Sequence, residues 1–379
     1  MRHHIFLSLV DITYDGGVER VVCNMANAFA QRGYAVDIIS LFKSGKNIKY
    51  SLKETVSVKY IYENQSYGGM RSKCIVRKYA LPWRMYLAYK ITHKIYAYID
   101  SRKADDEIAV VFSNSYLYTA PLYRHKNVRL IGVDHSRYPF GKMTKGLRHW
   151  LHTYMVRNYD VVTTLNNDEV DKWKSIKRPV YVMQNFLPST MASTDSANIK
   201  REKVVLSLGR MNTDQKGFDR LIDAYSLIAE KHPDWRLRIY GSGGLQSQYK
   251  TQVKSMGMDE YIEINDFTTN PQRVYQSASI YAMCSREEGF GMVLLEAGNQ
   301  GLPLVAYDVE FGPKTIIREG KTGYVIPDGN AKLFAQALER LMDNDGLLQN
   351  MSAEVRQDIA SRYSEDIIIE KWTRLIVGL

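Results

Sequence analysis

Short, mainly apolar runs recur along this chain, and most end at a turn carrying glycine or charge before helix-forming composition begins. A continuous apolar run of strand length fits a strand buried on both faces, as in a parallel sheet, because a half-solvated strand would alternate. There are two series of such runs. His4–Val10, Ala35–Phe42, Val56–Tyr62, Ile108–Phe112, Val128–Val133, Val161–Leu165 and Val180–Met183 make the first. Val204–Leu208, Leu237–Tyr240, Tyr261–Ile264, Ile280–Cys284, Leu304–Tyr307 and the end of Gly320–Pro327 make the second. Strand and helix alternate in both, so the expected fold class is α/β, with doubly wound parallel sheets whose ligands lie at the carboxyl ends of the strands. At 379 residues the chain exceeds what one core organises. A Ser-, Thr- and Ala-rich stretch after Gln184–Pro188 is the expected linker, giving domains 1–188 and 204–362 and a closing helix in 363–379.

Bulk properties narrow the class. No run of eighteen apolar residues exists, and the opening MRHHIFLSLVDITYDGG has no long apolar core or small-residue cleavage site, so a cytoplasmic protein is expected. Cys23, Cys74 and Cys284 fit neither a disulfide framework nor zinc-ligand spacing and read as free thiols. The net charge of +10 is uneven: residues 1–190 hold 29 Lys and Arg against 15 Asp and Glu, and the remainder hold 22 against 26. A basic first half suits nucleic acid, an anionic membrane or a phosphorylated substrate.

The stretch Ile280–Gln300 concentrates the chemistry. Its apolar run ends at Ser285–Glu288, Gly289 and Gly291 allow backbone to approach a ligand, and Met292–Gln300 has helix-forming composition. Amides at that helix start would face an anion across the strand end. Glu288 falls at the rim and Glu296 more than one turn inside the helix, so the two can address different parts of one ligand. A phosphate flanked by two hydroxyl-binding carboxylates suggests a sugar nucleotide. Earlier, Gly209-Arg210 follows Val204–Leu208 at once and Lys216-Gly217 precedes the amphipathic run Phe218–Ala229. Two cations flanking one loop at a strand end can neutralise a diphosphate leaving group. Near the start, Gly16-Gly17 opens the helical stripe Val21–Gln31, where backbone can approach a diphosphate.

Glu-Gly-Phe-Gly followed by the second glutamate, with Arg210 and Lys216 at R-x5-K spacing, resembles the signature of the family 4 retaining glycosyltransferases. The resemblance covers nearly the whole chain and implies the GT-B architecture, with acceptor in the first domain and donor nucleotide in the second. It implies that Glu288 binds donor sugar hydroxyls and favours positive charge at the anomeric carbon, and that Glu296 grips ribose hydroxyls. Arg210, Lys216 and the amides of Gly289, Phe290 and Gly291 would stabilise the departing phosphate, with no metal and no cofactor beyond the UDP-sugar co-substrate. His135, just past Val128–Val133, would contact the donor sugar or steer the acceptor. Gly16 and Gly17 match a family glycine loop, and Asp266 and Phe267 lie where the family meets the nucleobase through backbone groups. The implied reaction moves a hexosyl or N-acetylhexosaminyl group to a hydroxyl of a lipid-linked saccharide. A catalytically silent nucleotide-sugar-binding or scaffold protein and a sugar-nucleotide epimerase of similar fold are the competing readings.

Three further segments bear on function. Gly241-Ser242-Gly243-Gly244 lacks the third glycine of a dinucleotide fingerprint, since Gln246 stands there, which argues against a nicotinamide cofactor. Asp343-Asn344-Asp345 mimics a metal-binding D-x-D but ends a helix rather than a strand. Arg71–Lys103 holds nine Lys or Arg, six Tyr or Trp and one acid, Asp100. Within it Leu87, Ile91, Ile95 and Ile99 form a helical stripe, so this is either a core helix with a solvated basic face or a membrane-surface helix. In the second case Arg77, Lys78, Arg84, Lys90 and Lys94 would each contribute on the order of 1 kcal/mol near anionic lipid, and the protein would sit peripherally on the inner face of the cell membrane. No recognisable nucleic-acid module accompanies the basic segment.

Overall fold

The computed structural model describes residues 2–63, 80–113, 127–133, 156–173, 177–191, 201–310 and 312–379, with backbone alone for 80–85 and Lys172. Contacts divide the chain into two units. The first comprises Met1–Gln184 with Ile369–Leu379, and the second comprises Asn185–Ile368.

The first unit holds a seven-stranded sheet of β1 (Arg2–Leu9), β2 (Ala35–Phe42), β3 (Val56–Tyr62), β4 (Glu107–Ser113), β5 (Val128–Val133), β6 (Val161–Thr164) and β7 (Val180–Val182), in the order β3-β2-β1-β4-β5-β6-β7. The second holds β8 (Val204–Leu208), β9 (Arg236–Tyr240), β10 (Ile262–Asn265), β11 (Ile280–Met283), β12 (Leu304–Asp308) and β13 (Gly323–Pro327), in the order β10-β9-β8-β11-β12-β13. Among the described residues all strand pairings are parallel. The expected α/β class with two doubly wound parallel sheets is therefore what the chain forms. Both sheets reverse direction once, between β1 and β4 and between β8 and β11, and such a switch point opens a crevice at the strands' carboxyl ends.

The mainly apolar runs form strands because helices cover both faces. β11 is buried at every residue and β1 from His4 onward. Each fully buried Ile, Leu or Phe contributes about 1.5–3 kcal/mol relative to exposure. In the first unit Ile91, Ile95 and Ile99 from the helix Ala80–Arg102 join Phe6, Ile39, Val111 and Leu130 in one core cluster, so the stripe faces the sheet. The far end of that helix is pinned by a buried carboxylate. Asp37 accepts hydrogen bonds from His4 Nε2 at 2.5 Å, Tyr98 Oη at 2.6 Å and Arg102 Nε at 3.2 Å. Burial alone would raise the Asp37 carboxyl, but these three partners together hold it below the usual carboxylate value.

The structure corrects several helix limits. The first helix runs Gly17–Gln31, starting four residues before the apolar stripe, because first-turn amides need no intrahelical partner and Glu19 suits the positive end. The run after Lys216-Gly217 is helical only over Phe218–Ser226. Gln246–Ser255, a helix the sequence does not announce, is polar throughout except for Tyr249 and Val253, which bury four residues apart. Pro271–Ser277 is short, opened by proline and capped by Asn270, whose side chain accepts from Arg273 N at 3.2 Å.

The last helix, Glu365–Val377, ends in residues that group with the first unit. Trp372 is buried and meets Phe112 edge-on at 5.2 Å, and Arg129 Nε donates to the Leu379 carbonyl at 2.9 Å. Replacing Trp372 with alanine is expected to cost the first unit about 3–5 kcal/mol. Differential scanning calorimetry should show the first unit's transition moving down while the second unit's stays in place.

Candidate functional site

In the second unit the switch point lies between β8 and β11, which pair through Val205 with Ile280 and Leu206 with Tyr281. The loops leaving these two strands are thus neighbours, and they carry Arg210 and Lys216 on one side and Glu288 to Gly291 on the other. Gly217 lets them meet. It adopts φ +63°, and a Cβ there would fall 2.0 Å from the Cys284 carbonyl oxygen. With that carbonyl as a seat, Lys216 Nζ reaches Glu288 Oε1 and forms an ion pair, its side chain 19% exposed and that of Glu288 10%. Ser285 Oγ donates to the same Glu288 oxygen at 2.8 Å.

More contacts join the two loops. Arg286 N donates to the Gln215 carbonyl at 2.7 Å, and Gln215 Nε2 donates to the Glu287 carbonyl at 3.2 Å. Arg286 grips Asp219 with two parallel bonds, Nη1 to Oδ1 at 2.8 Å and Nη2 to Oδ2 at 2.6 Å. Partial burial would raise the Asp219 carboxyl, but the Arg286 guanidinium holds it below its usual range. Arg286 and Asp219 carry no signal of their own in the sequence, because nothing in their spacing announces a partner 67 residues away.

Glu296 lies in the helix Met292–Asn299, opened by Gly291 at φ +91°. It is buried, and Tyr275 Oη donates to its Oε2 at 3.0 Å. Tyr275 comes from the helix Pro271–Ser277 and was also not foreseen. The Phe290 side chain points inward, packing edge-on to Tyr363 at 5.9 Å, so only its backbone remains for a ligand. Gly312, in the loop after β12, passes the Phe290 carbonyl so closely that a Cβ would lie 2.8 Å from its oxygen.

Arg210 is exposed, in a loop laid against the one following β9. Met211 N donates to the Ser242 carbonyl at 2.8 Å, and a Cβ on Gly241 would sit 2.0 Å from the Gly209 oxygen. Those glycines therefore serve loop packing. Asp266, next along the sheet edge, accepts from Gln246 Nε2 at 2.7 Å, and the Phe267 ring beside it is 67% exposed.

In the first unit Gly16 is extended and Gly17 begins its helix; a Cβ on Gly17 would meet nothing within 4 Å. The backbone there does not demand glycine, so its absence of side chain leaves space above the helix start. The Tyr50 hydroxyl lies 3.0 Å from both the Gly16 carbonyl oxygen and Asp15 Oδ1, two acceptors for its one proton. Buried Asp11 accepts from Thr13 N at 2.9 Å and Ser44 N at 2.7 Å, tying this loop to the chain after β2. His135 lies outside the described residues, as do Arg77 and Lys78, and the Arg84 side chain is likewise not described. Lys90 and Lys94 are exposed on the helix face opposite the buried stripe, Lys90 4.8 Å over the Tyr86 ring and Lys94 4.2 Å over the Tyr62 ring.

Asp343 and Asn344 form a helix junction, with Asn344 capping the helix Asp345–Tyr363 by accepting from Leu347 N at 2.9 Å. Asp343 also joins His232 and Glu339, an arrangement of metal-ligating type. Each imidazole nitrogen faces a different carboxylate at 3.6 Å, and Lys231 Nζ also approaches Glu339 at 3.3 Å, so Glu339 already has a cation beside it. Among the described residues no helix is long and apolar enough to cross a membrane.

The model described as Glycosyltransferase Family 4 matches residues 15–188, and the model described as Glycosyl transferases group 1 matches residues 192–358. An uncharacterized glycosyltransferase of Haemophilus influenzae is 27% identical over 369 residues, covering 97% of this chain and 98% of that protein. The amylovoran biosynthesis glycosyltransferase AmsD of Erwinia amylovora is 26% identical over 379 residues, covering 98% and 99%. Among solved structures, a point mutant of S. aureus TarM in complex with fondaparinux, alpha-GlcNAc-glycerol and UDP aligns with a TM-score of 0.73 at 16% identity over 99% of both chains, a likeness of fold. The two family models between them take up almost the whole sequence, and the sheets they span are those described above: the chain belongs to the family 4 glycosyltransferases of GT-B architecture.

Proposed function

We propose that this glycosyltransferase transfers a hexosyl or N-acetylhexosaminyl group from a UDP-sugar, with retention and without a metal ion, to a hydroxyl of a lipid-linked saccharide in cell-surface polysaccharide assembly. The observation that carries this reading is the Lys216–Glu288 pair at the second unit's switch point, with Ser285 on the same oxygen. A carboxylate and an ammonium side by side suit a reaction in which positive charge grows at an anomeric carbon while negative charge grows on the diphosphate leaving it. In the proposed step the bond from the anomeric carbon to the diphosphate oxygen breaks. The acceptor hydroxyl bonds to that carbon from the same face, and its proton leaves with the diphosphate. Glu288 holds the donor sugar, Arg210, Lys216 and the amides of Gly289 to Gly291 take the diphosphate charge, and Glu296 takes ribose hydroxyls. Gly16 and Gly17 approach the diphosphate, Asp266 and Phe267 border the base, and His135 contacts the donor sugar or steers the acceptor.

The neighbours support the donor and pathway. The TarM structure holds UDP and an α-linked GlcNAc-glycerol, and AmsD is named for a polysaccharide. Tyr86 and Tyr89, 49% and 45% exposed, stand beside Lys90 and Lys94 as an amphipathic face suited to headgroups, which supports an anionic membrane as partner and the inner face of the cell membrane as location.

The decisive assay measures UDP release with a lipid-linked saccharide acceptor and EDTA present, and reads the product's anomeric configuration by NMR. An α-linked product from an α-linked donor is expected; an inverted product or dependence on added magnesium overturns the stereochemical or metal-free part. Donor consumed without acceptor would indicate the epimerase, and no consumption a silent binding protein. Arg210→Ala should lower kcat by about 10²–10³-fold, the range for removing one donor to developing negative charge. Undiminished turnover would remove it from the leaving-group role. Replacing Arg77, Lys78, Arg84, Lys90 and Lys94 together with glutamine should weaken co-sedimentation with anionic vesicles, and unaltered sedimentation would discard that surface.

A further inference from the structure

Three of the five N–H donors on the Arg286 head group bond inside the protein. Nη1 bonds the Asp214 carbonyl at 2.8 Å and Asp219 Oδ1 at 2.8 Å, and Nη2 bonds Asp219 Oδ2 at 2.6 Å, while Nε faces Asp214 Oδ2 at 3.8 Å. Arg286 therefore stands two residues from Glu288 yet has its charge turned away from that carboxylate and towards the other loop. What it holds is the 3-10 turn Asp214–Lys216, the segment that ends in Lys216, together with Asp219 in the first turn of the helix Phe218–Ser226. The turn has no buried residue of its own to fix it. Its position depends on Gly217 against the Cys284 carbonyl below and on Arg286 with Gln215 to the side.

We infer that Arg286, clamped to Asp219 and to the Asp214 carbonyl, is a positioning residue that sets where Lys216 stands relative to Glu288 during sugar transfer. This rests on the proposed function, since it gives Lys216 its task. A guanidinium suits the place because its planar fork meets a carboxylate with two parallel bonds and fixes orientation as well as distance. A lysine there would keep the charge and lose the second bond and the carbonyl contact.

The test is a double-mutant cycle on the full chain with UDP-sugar and acceptor. Arg286→Gln should lower kcat by up to about 10²-fold, the cost of a small misplacement of a reacting group, with little change in donor KM. In a Lys216→Ala background the same change should add almost no further loss, because the residue through which it acts is gone. Arg286→Lys should recover part of the rate. Wild-type kcat in Arg286→Gln, or losses that multiply fully in the double variant, overturns the inference. Amide hydrogen exchange of residues 212–217 gives a readout apart from activity: it should quicken in Arg286→Gln at an unchanged far-ultraviolet circular dichroism spectrum, and unchanged exchange overturns the clamp. Should Arg286→Gln not fold, Asp219→Asn carries the same cycle with the same expectations. A wild-type chain that transfers no sugar would sink the proposed function, while the exchange measurement would still decide the clamp.

Discussion

The contact on which the second unit's site depends is backbone against backbone, where Gly217 lies on the Cys284 carbonyl. Parallel strands supply neighbouring loops but do not decide how closely the loops approach; here the approach is set by a residue without a side chain at a left-handed φ. Once it is made, Lys216 stands over the loop that begins the glutamate motif and pairs with Glu288. Without it, the same two side chains would be surface charges on separate turns, and such pairs contribute about 0–1 kcal/mol. Ser285 donates to the same Glu288 oxygen that Lys216 engages, so both loops fix one end of the carboxylate.

The strands were legible because burial on both faces removes any reason for a polar residue to alternate with an apolar one. Ile280–Cys284 and Val204–Leu208 carry that signal in full, and each was placed to within one residue. The helix Gln246–Ser255 escaped because it buries only Tyr249 and Val253; two anchors in ten residues do not make a period. The helix starting at Gly17 was read late for a related reason, its first turn having no apolar residue except Val18 to mark it.

The candidate site was legible where its logic is local. Glu288, Gly289, Phe290, Gly291 and Glu296 lie within one strand-turn-helix unit, and Arg210 and Lys216 share one loop, so spacing alone brings each group together. Tertiary partners leave no such trace. Arg286 and Asp219 are 67 positions apart, Tyr275 and Glu296 belong to different helices, and Tyr50 reaches Gly16 across 34 positions. Each is an ordinary surface-forming or core residue by type, and becomes informative only when the sheet order puts its loop beside another.

The opposite end of the helix Met292–Asn299 completes the electrostatic arrangement. Arg201 donates to the carbonyls of Ala278, at 2.6 Å, and Gln300, and Arg356 reaches the Gln300 carbonyl at 3.5 Å. Burial and the neighbouring Arg356 push the Arg201 guanidinium down to about 10, so the pair is held at a cost. Carbonyls at a helix carboxyl end carry partial negative charge, and cations there offset that cost. The helix thus has its negative end met by two fixed guanidiniums, while its positive end opens at Gly291 beside Glu288. Fixing the carboxyl end fixes the axis, and the axis decides where the amides of the first turn point. In this unit the two edges of one sheet therefore cooperate: arginines beyond the strands' amino ends hold the helix whose other end faces the loops where sugar-nucleotide chemistry is proposed.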